Sequence, residues 1–267
     1  MTATIVAIEN ADDERIAVFR DIRERDLRRR DGLFVAEGTV VLEALARSVT
    51  FEAVSILILD ARLPGITPIL ERFTPDVPAY VVSRDTIDLV AGFPMHRGVL
   101  ALARRSREYG ANELLRGRPK RVLLLCNLAN HDNVGACFRN ASAFGVEAVI
   151  ADAGTADPLY RKAIRVSTGA VLHVPHVAGG TITDHILAVQ NAGYRVVALS
   201  PMATATIDQI DRHDPVALLV GTEGEGLPKA LMETLDTAAI RMADGHDSVN
   251  VATSVAIALY ELSKPPN

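Results

Sequence analysis

The sequence predicts an α/β protein in two parts, a small N-terminal α/β domain and a larger domain with a mostly parallel sheet and helices on both faces. Three observations carry that expectation. The second half alternates short apolar runs with helical stripes, the signature of strand–helix–strand units. A polar stretch punctuated by Gly and Pro, RRSREYGANELLRGRPKR (104–121), divides it from the first half. The length of 267 residues, 49% hydrophobic and 23% charged, suffices for two ordinary cores. The expected division is 1–110 for the small domain, 111–119 for a linker and 120–267 for the larger domain.

In the first part the pattern predicts a helix from about Asp12 to Arg29, a strand Leu33–Ala36 and a helix near Val40–Arg47. Strands follow at Val54–Leu59, Ala79–Val82 and Val99–Ala103, with Pro64, Gly65, Pro68 and Pro75 in the gaps. In the second part VLLLC (122–126), AVI (148–150), YRVVAL (194–199) and VALLV (216–220) are strand-like and too short for helices. Helical patterns lie between them at Val134–Phe144, Pro158–Val166, Thr181–Asn191, Lys229–Leu235 and Val251–Leu262. Sheets of this kind bind ligands beyond the carboxyl ends of their strands, so the site is sought there.

Composition narrows the function. Aromatics are 4% and Trp is absent, which disfavours a surface of stacked rings. No apolar run approaches the roughly 18 residues of a membrane span, and MTATIVAIENADDER is not a signal-peptide pattern, so a cytoplasmic location is expected. Cys126 and Cys137 sit in apolar stretches and read as buried thiols. The net charge of −5 means that a nucleic-acid partner would need a local basic footprint. Arg20–Arg30 is the candidate: six arginines against Asp21, Glu24 and Asp26, either a charged helix face or a phosphate-binding one.

Three segments of the second part could carry chemistry. In NHDNVGACFRNASAFG (130–145), Val134, Cys137, Phe138 and Ala141 form a core stripe, with Asp132 or Asn133 as N-cap. Arg139 falls on the opposite face among Gly135, Ala136, Ser142 and Ala143, small residues that would let a partner or substrate approach the backbone. VGTEGEGLP (220–228) is a glycine-rich turn directly after a strand, and its main-chain amides could cradle a ligand. It is neither a dinucleotide fingerprint nor a P-loop, and its Glu223 and Glu225 favour an uncharged or cationic ligand over a nucleoside triphosphate. GHDSVNVATSVAIALYEL (245–262) carries a core stripe of Val251, Ser254, Val255, Ala258, Leu259 and Leu262, capped by Asp247 or Ser248, with Asn250 oddly placed in the first turn. His173 and His176 have no second ligand pair, so no metal is expected. The G-x-S-x-G of a nucleophile elbow is missing.

In order and spacing, N-V-G-A-x-x-R-N-A-x-A-F-G, G-T-E-G-E-G-L and M-A-x-G-x-D-S-V-N-V-A resemble the three motifs of the SpoU (TrmH-like) RNA ribose 2′-O-methyltransferases of the SPOUT superfamily, over roughly residues 120–263. The N-terminal part resembles the small α/β substrate-binding domain that many members carry. The resemblance implies a deep trefoil knot, which no periodicity shows. It also implies bent S-adenosylmethionine bound in that knot, tRNA or rRNA as substrate, and a homodimer with sites near its interface. By position it implies Asn133, Arg139, Glu223, Ser248 and Asn250 as the catalytic set, and Leu199, Gly221, Ile240, Met242 and Val249 as the residues lining the methyl donor. Arg28, Arg29 and Arg30 are the candidate RNA contacts. The chain departs from the family at Asn130-His131, where Asp-Pro is common, at Arg241 in place of Pro, and at Val249 in place of a frequent Leu.

The implied reaction is in-line attack of a 2′-oxygen on a sulfonium methyl. A guanidinium stays protonated, so Arg139 is expected to stabilise the developing alkoxide as a fixed cation, with the proton leaving to phosphate or water. Rival readings are a non-catalytic RNA-binding or ribosome-assembly protein, a nicotinamide-dependent oxidoreductase, and a base methyltransferase.

Overall fold

A computed structural model describes residues 2–20, 32–92, 94–213, 215–222, 226–244, 246 and 248–265. The chain forms two compact units, Met1–Glu108 with Leu159–His173, and Tyr109–Pro158 with Val174–Asn267. The larger half therefore lends one internal segment to the smaller unit.

The first unit contains β1 (Thr4–Ala7), β2 (Leu33–Glu37), α1 (Thr39–Ala46), β3 (Phe51–Leu59), α2 (Leu63–Leu70), β4 (Pro78–Val82), α3 (Arg84–Ala91) and β5 (Val99–Arg105). Its sheet runs β1-β4-β3-β5-β2, with β1, β4 and β3 parallel and β5 antiparallel to both neighbours. The helix expected over Asp12–Arg29 differs. Asp13 caps a short 3-10 stretch, Glu14–Phe19, which buries Ile16 and Phe19, while residues 21–31, Arg28, Arg29 and Arg30 among them, lie outside the described residues. Two helices stand where gaps were expected. α2 tolerates Pro64 because the first turn has no partner for that missing N–H. α3 is bounded by Ser83, whose hydroxyl accepts from the Thr86 amide, and by left-handed Gly92.

The second unit opens with α4 (Ala111–Arg116), where a linker was expected; Leu114 and Leu115 are buried in its core. Then come β6 (Arg121–Leu125), α5 (His131–Ala143) and β7 (Ala148–Ala151). α6 (Arg161–Val166) follows within the segment that joins the first unit. Next are β8 (His176–Ala178), α7 (Ile182–Asn191), β9 (Arg195–Leu199), β10 (Val216–Val220), α8 (Lys229–Met232), β11 (Asp236–Ala238) and α9 (Val251–Ser263). The sheet order is β11-β9-β10-β6-β7-β8, parallel throughout. Every residue of VALLV is buried, as a central strand covered on both faces demands. One face packs on α4 and α7 through Val122, Leu124, Ala217 and Leu219. α9 lies beside α5 and against β10. Its Val255 and Leu259 are fully buried, each contributing about 2 kcal/mol by leaving water.

Strand order reverses between β6 and β10, since the chain moves outward through β7 and β8 and then returns to the other side. Such a switch point opens a crevice at the carboxyl ends of the strands. No helix among the described residues is long and apolar enough to cross a membrane.

The segment Leu159–His173 is tied into the first unit at three places. The Ser48 hydroxyl donates to the Leu172 carbonyl at 2.7 Å, and Arg161 lies 4.0 Å from the carboxylate of Glu37, which is 8% exposed. Gly169, at φ 85, sits so close to α1 that a Cβ would lie 2.7 Å from that of Ala44. Gly169→Ala should therefore cost about 2–4 kcal/mol, combining left-handed strain with overpacking. Gly193→Ala, at φ 87 with nothing within 4 Å, carries only the strain, about 1–2 kcal/mol. Urea unfolding of the two variants separates these contributions; equal losses would mean that the contact with α1 does not constrain the segment.

Candidate functional site

Three loops meet at the carboxyl ends of β9 and β10 and enclose a cleft of about 300 Å³. The first begins at Leu199, the last residue of β9, and continues through Ser200 and Pro201. The second leaves β10 at Val220 and runs through Gly221 and Thr222 to Gly226 and Leu227. The third follows β11 and brings Ile240, Met242, Ser248 and Val249 to the cleft before α9 starts.

The local sequence explains each loop. Ser200 turns the first: its amide donates to the Ala238 carbonyl at 3.0 Å and its hydroxyl accepts from the Met202 amide at 3.2 Å. The glycine turn closes on itself, with Thr222 bridged to Gly226. Gly221 must stay bare, because a Cβ would approach Leu227 side-chain atoms to 2.9 Å and the Gly226 carbonyl carbon to 3.0 Å. The third loop is anchored by Arg241, whose guanidinium meets the Asp208 carboxylate at 2.7 Å. An ion pair thus holds the position where a proline would have stiffened the chain.

Among the described residues no charged side chain lines the cleft; its walls are apolar groups, the hydroxyls of Ser200, Thr222, Ser248 and Ser254, and main chain. That lining suits a neutral or cationic organic ligand and offers no lysine or arginine to a polyphosphate. The five residues expected to line a methyl donor, Leu199, Gly221, Ile240, Met242 and Val249, all lie on it. Ser248 joins them. Glu223 lies outside the described residues, as do Glu225 and Asp247.

Asn133 and Asn250 come together beside the cleft, at the starts of α5 and α9. Asn250, not Asp247 or Ser248, caps α9: its side-chain oxygen accepts from the Ala252 and Thr253 amides at 2.9 and 3.4 Å. Its Nδ2 donates to Oδ1 of Asn133, which is 8% exposed, at 3.0 Å. Because Asn133 is occupied there, the cap of α5 is Asn130, whose Oδ1 accepts from the Asp132 amide at 2.8 Å. Asn130 thereby starts the helix where a family Asp would. Asn140 adds a second tie, donating from Nδ2 to the Ala252 carbonyl at 2.7 Å.

Arg139 does not line this cleft. It projects from the exposed side of α5 and makes no hydrogen bond or ion pair to a described residue. Of its expected small neighbours, Ala136, Ser142 and Ala143 are at least partly exposed, while Gly135 is buried. His176 serves the core, with Nδ1 3.1 Å from the Val174 carbonyl and its ring edge-on to Phe138. Burial, reinforced by nearby Asp152, pushes the Cys126 thiol up to about 11, so almost no thiolate exists at neutral pH and a cysteine nucleophile is disfavoured.

Sequence reasoning missed Ser200, Pro201, Thr222, Leu227 and Ser254 as cleft residues. The spacing puts Ser254 in the core stripe of α9, and its small hydroxyl on the first turn is the available signal. Asn140 was also missed, although it directly follows Arg139 in the first motif.

Comparison with known proteins identifies the fold and the family. The chain is 36% identical, over 95% of its length and 90% of the relative's, to an uncharacterized tRNA/rRNA methyltransferase of Mycobacterium bovis. A solved RNA 2′-O ribose methyltransferase superposes with a TM-score of 0.77 at 27% identity, covering 96% of this chain and 98% of that one. In fold it also resembles the SpoU methyltransferase AviRb of Streptomyces viridochromogenes, solved with the cofactor AdoMet (TM-score 0.75, 24% identity, 94% of this chain and 98% of that one). Residues 120–260 match the SpoU rRNA methylase family, and the chain belongs to that family.

Proposed function

We propose that this chain transfers a methyl group from S-adenosylmethionine to a ribose 2′-hydroxyl of tRNA or rRNA, working in the cytoplasm. One observation carries the reading: the three family motifs converge, with Leu199, Gly221, Ile240, Met242 and Val249 on one cleft, free of charged side chains among the described residues, beside paired Asn133 and Asn250. When bound, S-adenosylmethionine supplies an electrophilic methyl on a sulfonium. The chain's own residues hold and orient. Leu199, Ile240 and Val249 offer apolar walls to an adenine, while main-chain groups around Gly221 and the Ser248 hydroxyl offer hydrogen bonds. Bringing donor and hydroxyl into line accounts for most of the required acceleration, because a sulfonium already leaves readily.

Arg139 stabilises the alkoxide that develops on the 2′-oxygen, and the proton passes to phosphate or water. Its exposure outside its own cleft favours a homodimer in which the Arg139 of one copy serves the cleft of the other. Ile257 and Tyr260, 37% and 53% exposed on α9, supply apolar surface for that association. Three successive crossover loops meeting at one cleft also fit the trefoil knot that the family resemblance implies. Asn133, Ser248 and Asn250 keep α5, the third loop and the ligands in register, and Glu223 is assigned to fixing the motif loops or Arg139.

Labelled methyl transfer to total RNA from a deletion strain, with mapping of the modified nucleotide, tests the reaction. Label on a base, or absence of both transfer and donor binding, would overturn it. Arg139→Ala should lose roughly 100-fold or more in kcat with donor affinity unchanged, and Arg139→Lys should recover part of the rate. Gly221→Ala should weaken donor binding, read by calorimetry, because the glycine turn must shift to admit a methyl group. Mixing Arg139→Ala with Gly221→Ala, at a donor concentration too low to fill the Gly221→Ala cleft, tests the composite site. Hybrid dimers should restore about a quarter of the wild-type rate, whereas a site complete within one chain would restore none. Asn250→Ala should cost about 1–2 kcal/mol of stability in urea, while Asn250→Asp, which keeps the capping oxygen but loses the Nδ2 donor to Asn133, should recover only part of it.

A further inference from the structure

The larger unit carries a second cavity, of about 630 Å³, at the opposite end of the same strands. It opens beside Arg121, Tyr194 and Val216, at the amino-terminal starts of β6, β9 and β10, whereas the donor cleft lies at the carboxyl ends of β9 and β10. Five residues of strand, about 16 Å, separate the two ends.

Its lining is unlike the rest of this acidic chain. Arg118, Lys120, Arg121, Arg212, His213 and Lys264 contribute to it, and no acidic side chain does among the described residues. These groups come from three places far apart in sequence, so the clustering belongs to the fold. The loop RGRPK is held in place by Tyr194, whose hydroxyl donates to the Pro119 carbonyl at 2.6 Å, and by Arg118 at φ 47. Arg121 is committed to structure, donating to the Leu262, Ser263 and Phe144 carbonyls at 3.3–3.5 Å. Lys264 meets Glu261 at 2.7 Å on the surface. Arg118 and Lys120 are exposed, and their side chains make no hydrogen bond or ion pair with a described residue. Two acids lie close by among the described residues: Glu147, engaged by the Lys120 main-chain amide, and Asp211, whose carboxylate accepts from the His213 amide at 2.9 Å.

We propose that this cavity binds phosphodiester groups of the substrate RNA, at a part of the molecule remote from the methylated ribose. The inference rests on the RNA-directed reading above and adds where an acidic protein finds its phosphate contacts. An RNA reaching this end of the sheet gains affinity from Arg118, Lys120 and Lys264 without touching the reacting atoms. Their removal therefore acts on binding and not on the chemical step.

The test is fluorescence anisotropy with a fluorescein-labelled RNA stem–loop across about 50–200 mM KCl, comparing wild type with the triple variant Arg118→Asn, Lys120→Gln, Lys264→Gln. Asn accepts the left-handed backbone at 118, and all three positions are exposed, so the fold is preserved. The slope of log affinity against log salt should fall by about two, with affinity at low salt down about tenfold. KM for RNA should rise in parallel while kcat and donor affinity stay at wild-type values. Unchanged slope and affinity would overturn the proposal, as would a wild-type cavity that binds inorganic pyrophosphate, lost in the triple variant, with no change in RNA binding. Anisotropy needs no turnover. A wild type that binds RNA through these cations but transfers no methyl would sink the catalytic reading and leave this one standing, and a methylating wild type with an unaltered slope in the variant would do the reverse.

Discussion

Asn250 ends the loop that closes the cleft and begins the helix that packs behind it, and both depend on one side-chain amide. Its oxygen satisfies two otherwise orphaned amides of α9 while its nitrogen reaches Asn133 on α5. Two helices far apart in the chain are thereby joined at their N-termini. At the other end Arg121 joins them again through the carbonyls of Leu262 and Phe144. With the seam fixed at both ends, the segment between β11 and α9 must cross the carboxyl end of the sheet. That crossing brings Ile240, Met242 and Val249 over Leu199 and Gly221.

The parts of this architecture that were legible in the sequence are those with a strong physical signature. β6 and β10 are buried on both faces and so read as unbroken apolar runs. The stripes Val134–Cys137–Phe138–Ala141 and Val255–Ala258–Leu259–Leu262 face the core as their spacing requires. Of the four edge strands only β2 was legible, as Leu33–Ala36; the other three were not. β8 and β11 are three residues each and β1 is four, too short for any period to show. α2 was hidden by Pro64, Gly65 and Pro68, which mark breaks unless they fall where a helix can spare a donor. The membership of Leu159–His173 in the first unit rests on a buried glycine contact and a carboxylate–guanidinium approach, neither of which leaves a pattern along the chain.

The site divides in the same way. Leu199, Ile240 and Val249 carry no chemistry that marks them individually, and only the order of three motifs singled them out. The caps differ from the sequence expectation for a physical reason. Several polar residues precede each helix, and the choice among them is decided by the partner across the seam. Asn133 is drawn inward by Asn250, which leaves Asn130 to cap α5.

On the proposed reaction, the separation of Arg139 from the cleft has an electrostatic logic. Two cations about 4 Å apart repel by about 4 kcal/mol at an effective dielectric of 20. A guanidinium inside the donor cleft would therefore weaken binding of a sulfonium before any chemistry began. In the proposed homodimer the same charge is held outside the cleft and reaches the 2′-oxygen only when RNA and a second copy complete the arrangement, so that it acts on the nucleophile as it becomes anionic. The requirement is then for a positive charge that approaches the oxygen and never the donor. A residue on the outer face of a helix, at the boundary of the proposed dimer, meets that requirement, whereas one lining the cleft could not.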